Sequence, residues 1–393
     1  MGDGMDADRL ISDRCKGVQA SGIRRVFELG AQLQNPVDLS IGQPDFPVPD
    51  PVKRAAIEAI EQNRNGYTLS QGVPALRQAC AKRIAEDLHW PSDTGAPQSD
   101  VGLMVTTGTS GALFLMMMAL LSPGDEIIIP DPYFVAYPSM ASICGGVAVR
   151  CDTYPDFRMT AERVEPLITK RTKAVLLNSP GNPTGVVMSQ KECRELLELC
   201  RRKGIVLISD EIYDEFCFAD AQEGGVCPSP AREPNSHNDV LVIRGFGKTY
   251  GCTGWRMGFV AGPKWLITEM TKMQQFTYVC APAPLQWGCI PTFDVDMAPT
   301  VQQYAKRRDM VTQRLGEVTD VARPGGAFYA FVRVPQRMNM TGQQFFEKAL
   351  QRNLLLIPGG VFSDRDTHFR ISYATAPDKL ERGLEVLVEL MKQ

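Results

Sequence analysis

DVLVIRGFGKTYGCTGWRMGFVAGP, residues 239–263, sets two apolar runs on either side of a glycine-rich turn that carries Lys248. DVLVIRGF (239–246) and MGFVAGP (257–263) are short and rich in Val, Ile and Phe, as strands covered on both faces are. The pattern recurs upstream in VGLMVTTG (101–108), DEIIIPDPY (125–133), GGVAVRCD (145–152), KAVLLNSP (173–180) and GIVLISDE (204–211). Helical patterns separate these runs. One opens at Ser110, and another, QKECRELLELCRRKG (190–204), closes on a glycine. Repeated strand–helix alternation predicts an α/β domain with a mostly parallel sheet flanked by helices.

The last hundred residues differ. The helical stretch VQQYAKRRDMVTQRLGEV (301–318) precedes short strand patterns in GGAFYAFVRV (325–334) and HFRISYA (368–374), and the helical PDKLERGLEVLVELMKQ ends the chain. This is an α+β pattern, so a second, smaller domain is expected, with the Pro-rich CAPAPLQ (280–286) as its hinge.

Composition narrows the function. The chain has 393 residues, a net charge of −3 and no block of like charge, which gives no support to a nucleic-acid or membrane-surface partner. The longest apolar stretch, ALFLMMMALL (112–121), is about half a bilayer span and reads as a buried helix. The opening MGDGMDADRL is polar and acidic, without the features of a signal peptide. Eleven scattered cysteines without a CxxC pair, and three histidines (His89, His237, His368), argue against a metal centre and for a reduced, cytoplasmic protein. Cys193 and Cys200 share a helix face as ordinary packing.

Four polar clusters follow strand patterns directly: TTGTSGA (106–112), NSPGNPTG (178–185), SDEIYDEF (209–216) and GFGKTYG (245–251). Ligands of open α/β sheets bind at the carboxyl ends of strands, so the clusters are expected to converge. The Gly-Lys-Thr of the last one is not a P-loop, because the first glycine of that motif would fall at Val242, inside a strand. Covalent chemistry remains for Lys248. A lysine forms a Schiff base when burial or a nearby cation destabilises its ammonium. Arg256 is such a cation or, equally, a bidentate phosphate ligand. Thr107, Thr109 and Ser110 add hydroxyls at a helix N-terminus, which favours an anion. Asp210, after the apolar IVLIS, requires a positive partner if it is buried, although a helix cap would also explain it. A Schiff-base lysine, a carboxylate for a pyridinium nitrogen and a phosphate cradle are what proteins contribute to pyridoxal phosphate chemistry.

From DLSIGQPDFPVP (38–49) to FRISYA (369–374) the chain resembles the class I/II aminotransferases, fold type I of the aspartate aminotransferase superfamily, close to the bacterial aspartate/aromatic branch. NSPGNPTG, SDEIY, the TGWRMGF segment and the final arginine carry the resemblance. It implies a large cofactor domain (46–285), a small α+β domain (286–393) and an N-terminal segment (1–45) packed on the latter. It implies pyridoxal 5'-phosphate, amino-acid and 2-oxo-acid substrates, and a homodimer with shared active sites. Lys248 would form the Schiff base and then move the proton, and Asp210 would pair with the pyridine nitrogen. Tyr213 and Asn182 would bond the ring's phenolic oxygen, while Gly108, Thr109, Ser110 and Arg256 would hold the phosphate. Tyr67 would reach the neighbouring subunit's phosphate, Phe134 would stack on the ring, and Arg370, beside Gly42, would clamp the substrate α-carboxylate.

Two positions depart from the family pattern. Gly245 stands where many relatives carry serine, and Ser110 where the aspartate-using branch often has a lysine for the distal carboxylate. Apolar or aromatic donors become plausible, with glutamate and 2-oxoglutarate as a common pair. Arg24 and Arg25 in SGIRRVFELG (21–30) are alternative cations, although solvated helix positions account for both. The nearest rival activity is a C–S β-lyase of the cystathionine type, which would use the same residues.

Overall fold

Each apolar run of the central region forms a strand in the computed structural model, which describes residues 6–393; the opening MGDGM of the N-terminal segment lies outside the described residues. In chain order, β1 (Val37–Asp38) is followed by β2 (Val101–Thr107), β3 (Glu126–Asp131), β4 (Val147–Asp152) and β5 (Thr172–Asn178). Then come β6 (Val206–Asp210), β7 (Val240–Gly245) and β8 (Met257–Pro263). Strands β2 to β8 make one seven-stranded sheet in the order β2-β8-β7-β6-β5-β3-β4. β8 lies antiparallel between β2 and β7, and the other pairings are parallel.

Alternate residues of each strand feed two cores, as the period-two geometry of strands requires. Leu103, Val105, Val175 and Leu177 face helices Pro74–Leu88 and Gln190–Lys203, while Met104, Ala174 and Leu176 face helix Gly108–Leu120. Burial on both faces explains why these strands are continuously apolar. It also explains ALFLMMMALL, whose Leu113, Leu115, Met116 and Met117 lie in the second core. Helix Gln190–Lys203 starts with a Ser189/Glu192 capping box and stops at Gly204, whose φ of 66° places it in the left-handed region.

The C-terminal strands are β9 (Tyr329–Arg333), β10 (Leu354–Leu355), β11 (Ile357–Pro358) and β12 (His368–Ser372). β11, β12 and β9 form an antiparallel sheet, and β10 pairs with β1. Their core includes Val26 of helix Gly22–Gly30 and Leu39. That helix lies close: a Cβ on Gly22 would meet Val361 at 2.6 Å, and one on Gly30 would meet Leu355 at 2.5 Å. The segment expected as the hinge enters helix Ala283–Cys289, where buried Gln286 Oε1 accepts the Val73 N–H at 2.7 Å. All eleven cysteines are free, and only Cys15 is exposed.

Candidate active site

Register brings the polar clusters together. Asn178 of β5 lies beside Asp210 of β6, and Asp210 beside Ile243 of β7, so the loops after these strands leave one edge. Because β8 is inverted, its first residue, Met257, pairs with the last of β2, Thr107, and Gly108 meets Arg256 at the same edge. A cavity of about 600 Å³ opens there. Gly42, Gly108, Thr109, Ser110, Phe134, Asn182, Asp210, Tyr213, Lys248, Arg256 and Arg370 all line it. Tyr67 does not: it lies on the surface, 89% exposed.

Lys248 sits on the single helical turn Phe246–Thr249, pinned by the buried side chains of Phe246 and Thr249. Its Nζ donates to the Gly42 carbonyl. Burial, with the Arg370 and Arg256 guanidinium groups nearby, brings its amine down to about 8. The free amine, the form that attacks a carbonyl, is therefore accessible near neutral pH.

Asp210 ends β6 and is buried. Tyr137 Oη donates to its Oδ2 at 2.7 Å, and the Ile212 N–H to its Oδ1 at 3.3 Å. Burial pushes the carboxyl up to about 6. Next to it, Glu211 turns away and accepts two bonds from Arg244, at 2.8 and 3.0 Å. Arg244 also pairs with Asp87 and Asp214, at 2.7 and 3.1 Å. Leaving one partner of such a buried pair alone costs about 3–5 kcal/mol. The cluster thus clamps the ends of β6 and β7, and with them the backbones that carry Asp210 and Lys248.

At the other end Gly108 opens helix Gly108–Leu120 with a φ of +67°. A Cβ there would come within 2.8 Å of Arg256 Nη2, and the left-handed backbone itself favours glycine at this position. Arg256 is itself left-handed, at φ 54°, and its Nη1 bonds the Thr253 carbonyl at 3.1 Å. The Thr107 hydroxyl is buried without a partner among the described residues. Free helix N–H groups, hydroxyls and a guanidinium in one cradle suit a phosphate.

Arg370, on β12, is fully buried between the rings of Tyr329 and Phe362, at 4.5 and 4.8 Å. It donates to Asn182 Oδ1 at 3.0 Å and to the Ser40 carbonyl at 2.8 Å, while its Nε has no partner among the described residues. Burial lowers its pKa from the usual arginine value. Asn182 is held in turn by Asn178 Oδ1, which accepts its N–H at 2.9 Å.

The structure adds residues that sequence reasoning passed over. Tyr137 stands three positions beyond Phe134 in DPYFVAYP, and its ring meets that of Phe134 edge-on at 5.5 Å. Tyr329, in GGAFYAF, has its hydroxyl 3.0 Å from that of Tyr213, and a Cβ on Gly42 would touch the same hydroxyl at 2.7 Å. Alternation along β9 was the available signal for Tyr329, since it turns the residue to the face Arg370 occupies. Of the two N-terminal arginines, Arg24 lies on the cavity wall and Arg25 is exposed elsewhere.

A buried carboxylate, an amine of lowered basicity and an anion cradle around one cavity define an enzyme that handles small carbonyl or amine compounds. The family Aminotransferase class I and II matches residues 34–387. An aspartate aminotransferase of Pyrococcus abyssi is 31% identical over 98% of each chain, and an aromatic-amino-acid aminotransferase of Thermococcus litoralis is 29% identical over the same share. The crystal structure of aspartate aminotransferase from Thermotoga maritima superposes with a TM-score of 0.89 at 30% identity, covering 98% of this chain and all of that one. The chain is a transferase of nitrogenous groups and belongs to the class I and II aminotransferase family. Its relatives support pyridoxal-phosphate-dependent amino transfer, not the lyase alternative.

Proposed function

We propose that the chain binds pyridoxal 5'-phosphate through Lys248 and moves an amino group between an L-amino acid, apolar and aromatic ones included, and a 2-oxo acid, with glutamate and 2-oxoglutarate as the common pair. The observation that carries the proposal is the buried Lys248, on the turn that follows β7, lining one cavity with the buried Asp210 at the end of neighbouring β6. Bound there, the cofactor supplies an electron sink for the negative charge left when a Cα proton departs. Asp210 would meet its ring nitrogen, and Phe134 its face. Gly108, Thr109, Ser110 and Arg256 would take its phosphate, and Tyr213 and Asn182 its phenolic oxygen. Lys248 Nζ would take the proton from the substrate Cα and deliver it to C4′ of the cofactor, on the far side of the nitrogen that is transferred. Arg370 receives the α-carboxylate, its unpartnered Nε supplying a further donor. The two halves of the reaction alternate, giving ping-pong kinetics.

We also infer a homodimer. Tyr67, Leu69, Phe276, Tyr278 and Val279 are exposed, and Gln274 ties their two segments together by bonding the Ser70 carbonyl. Tyr67 on this face would serve the partner's phosphate cradle. Eleven free thiols support a reducing compartment, the cytoplasm. The division at residues 45 and 285 is proposed on the same resemblance, supported by the packing of Val26 and Leu39 into the C-terminal core.

The test is the visible spectrum of the purified protein before and after single amino acids are added. A cofactor band that a given amino acid bleaches names the donor class. Absence of any band after incubation with pyridoxal phosphate overturns the assignment of Lys248.

A further inference from the structure

Next to the strand ends that carry Asp210 and Lys248, four carboxyls meet three guanidiniums. Arg83 and Asp87 come from helix Pro74–Leu88, Arg244 from β7, and Arg232 from the turn Pro230–Arg232. Glu211, Asp214 and Glu215 follow β6. Three of the acids accept a guanidinium hydrogen bond: Asp87 from Arg232 at 2.7 Å, Glu211 from Arg244 at 2.8 and 3.0 Å, and Glu215 from Arg83. Among the described residues the Asp214 side chain accepts only the Glu215 N–H, at 2.9 Å. Arg244 Nε lies 3.1 Å from Asp214 Oδ2, but its N–H is directed to Glu211. An excess buried charge is costly, so a cluster with three cations for four acids favours keeping one proton. Asp214 is the acid whose oxygens leave room for it. Burial, with Glu215, Glu211 and Asp87 close by, pushes its carboxyl up to about 7 against the pull of Arg244. Tyr250 and Cys227 also face it, and both stay protonated in this range, Tyr250 through burial and Cys227 through a hydrogen bond with Cys217 and burial.

In the reading above, on which this inference rests, Tyr213 meets the cofactor's phenolic oxygen and Lys248 binds the cofactor. We propose that Asp214 is a positioning residue for both, and that it acts through a proton: while neutral it leaves the Arg244 Nε–H to Glu211 and keeps the turn that carries Tyr213 in place. The path is short. The Asp214 N–H bonds the Glu211 carbonyl at 3.1 Å, and the Glu211 N–H bonds the Ile243 carbonyl at 2.9 Å, which joins the turn to β7. The Phe216 N–H bonds the Tyr213 carbonyl at 2.9 Å. Arg244 lies on the same strand end that leads into Lys248. A folded value raised above 3.8 means that the neutral form's contribution is whole below that pH and is lost as pH rises through about 7. Ionised, Asp214 competes with Glu211 for the Arg244 N–H, and both strand ends loosen.

The experiment follows the carbonyl stretch of protonated carboxyls by infrared spectroscopy on the pyridoxal-phosphate-loaded protein, titrated between about pH 6 and 9. The pH dependence of the cofactor's visible band is recorded in parallel. Wild type loses one carboxyl signal around neutrality, and the visible band shows an inflection at the same pH. Asp214→Asn, which mimics the neutral acid, lacks both. Asp87→Asn removes a repelling charge and frees guanidinium bonds, and it moves both inflections down by about one unit. A wild-type titration without a carboxyl signal that Asp214→Asn abolishes overturns the proposal. So does an inflection of the visible band that Asp214→Asn retains, or one that Asp87→Asn leaves in place. A protein that takes up no pyridoxal phosphate defeats the underlying reading instead, while the carboxyl signal of the cofactor-free protein still decides whether Asp214 holds the proton.

Discussion

Replacing Asp210 by asparagine will stabilise the cofactor-free protein and cripple the loaded enzyme. The carboxyl stands at about 6 in the folded chain against 3.8 in the unfolded one, because burial penalises its charge. A raised folded value means that the contribution is fully present below pH 3.8 and is lost as pH rises through 6; above that, the ionised group destabilises the fold. About two pK units correspond to about 3 kcal/mol. Asparagine removes the charge but offers one acceptor where Asp210 uses two, for Tyr137 Oη and Ile212 N–H, which costs back about 1 kcal/mol. The expected net gain is about 2 kcal/mol at pH 7.5, read as the displacement of the urea transition of cofactor-stripped protein, and it narrows toward pH 5. With pyridoxal phosphate bound the sign reverses, since the carboxylate then has a cation to meet, and the amino-transfer rate falls by about a hundredfold or more. Equal or lower stability of the stripped variant at pH 7.5, or a gain that does not change with pH, would refute the argument that Asp210 is held charged at a cost.

In Lys248→Ala, transamination collapses while cofactor remains bound without a covalent link, as intact-mass and visible spectra will register; wild-type turnover would contradict the role given to Lys248. Gly245→Ser, which restores the residue many relatives carry, weakens cofactor retention on dilution instead of improving it, because its Cβ would meet Ile212 Cδ1 at 2.7 Å and Thr109 Cγ2 at 2.9 Å. Overpacking of that kind costs about 1–3 kcal/mol. Tyr329→Phe leaves the Tyr213 hydroxyl without its 3.0 Å partner, and the pH at which the bound cofactor's visible band changes moves by about one unit, the equivalent of one hydrogen bond.

The central sheet was legible because its strands are buried on both faces, so the runs from Val101 to Pro263 stand out as apolar blocks, and the turn residues after them mark the strand ends. The cofactor-facing residues were legible for the same reason, since Asp210 and Lys248 directly follow such runs. Order within the sheet was not. The inverted β8, which lets Arg256 reach Gly108, leaves no trace in a strand pattern that looks like its parallel neighbours. Nor were the aromatic supports apparent. Tyr137 and Tyr329 lie in segments with the composition of ordinary core, and their importance comes from contacts across 73 and 116 residues of chain. Arg24 and Arg25 are chemically identical neighbours on a helix, and the packing of that helix on the C-terminal core, through Ile23, Val26 and Leu29, decides which of them faces the cavity.

The distribution of thiols has a practical consequence. Burial pushes Cys151, Cys200 and Cys252 up to about 12, which leaves them almost wholly protonated and inert to alkylation, whereas Cys15 is fully open to reagent. Cys15 precedes helix Gly22–Gly30 by seven residues, on the segment that leads to the cavity wall. A maleimide dye added to the unaltered protein will couple there first. It places an optical reporter on the N-terminal segment without any engineered cysteine.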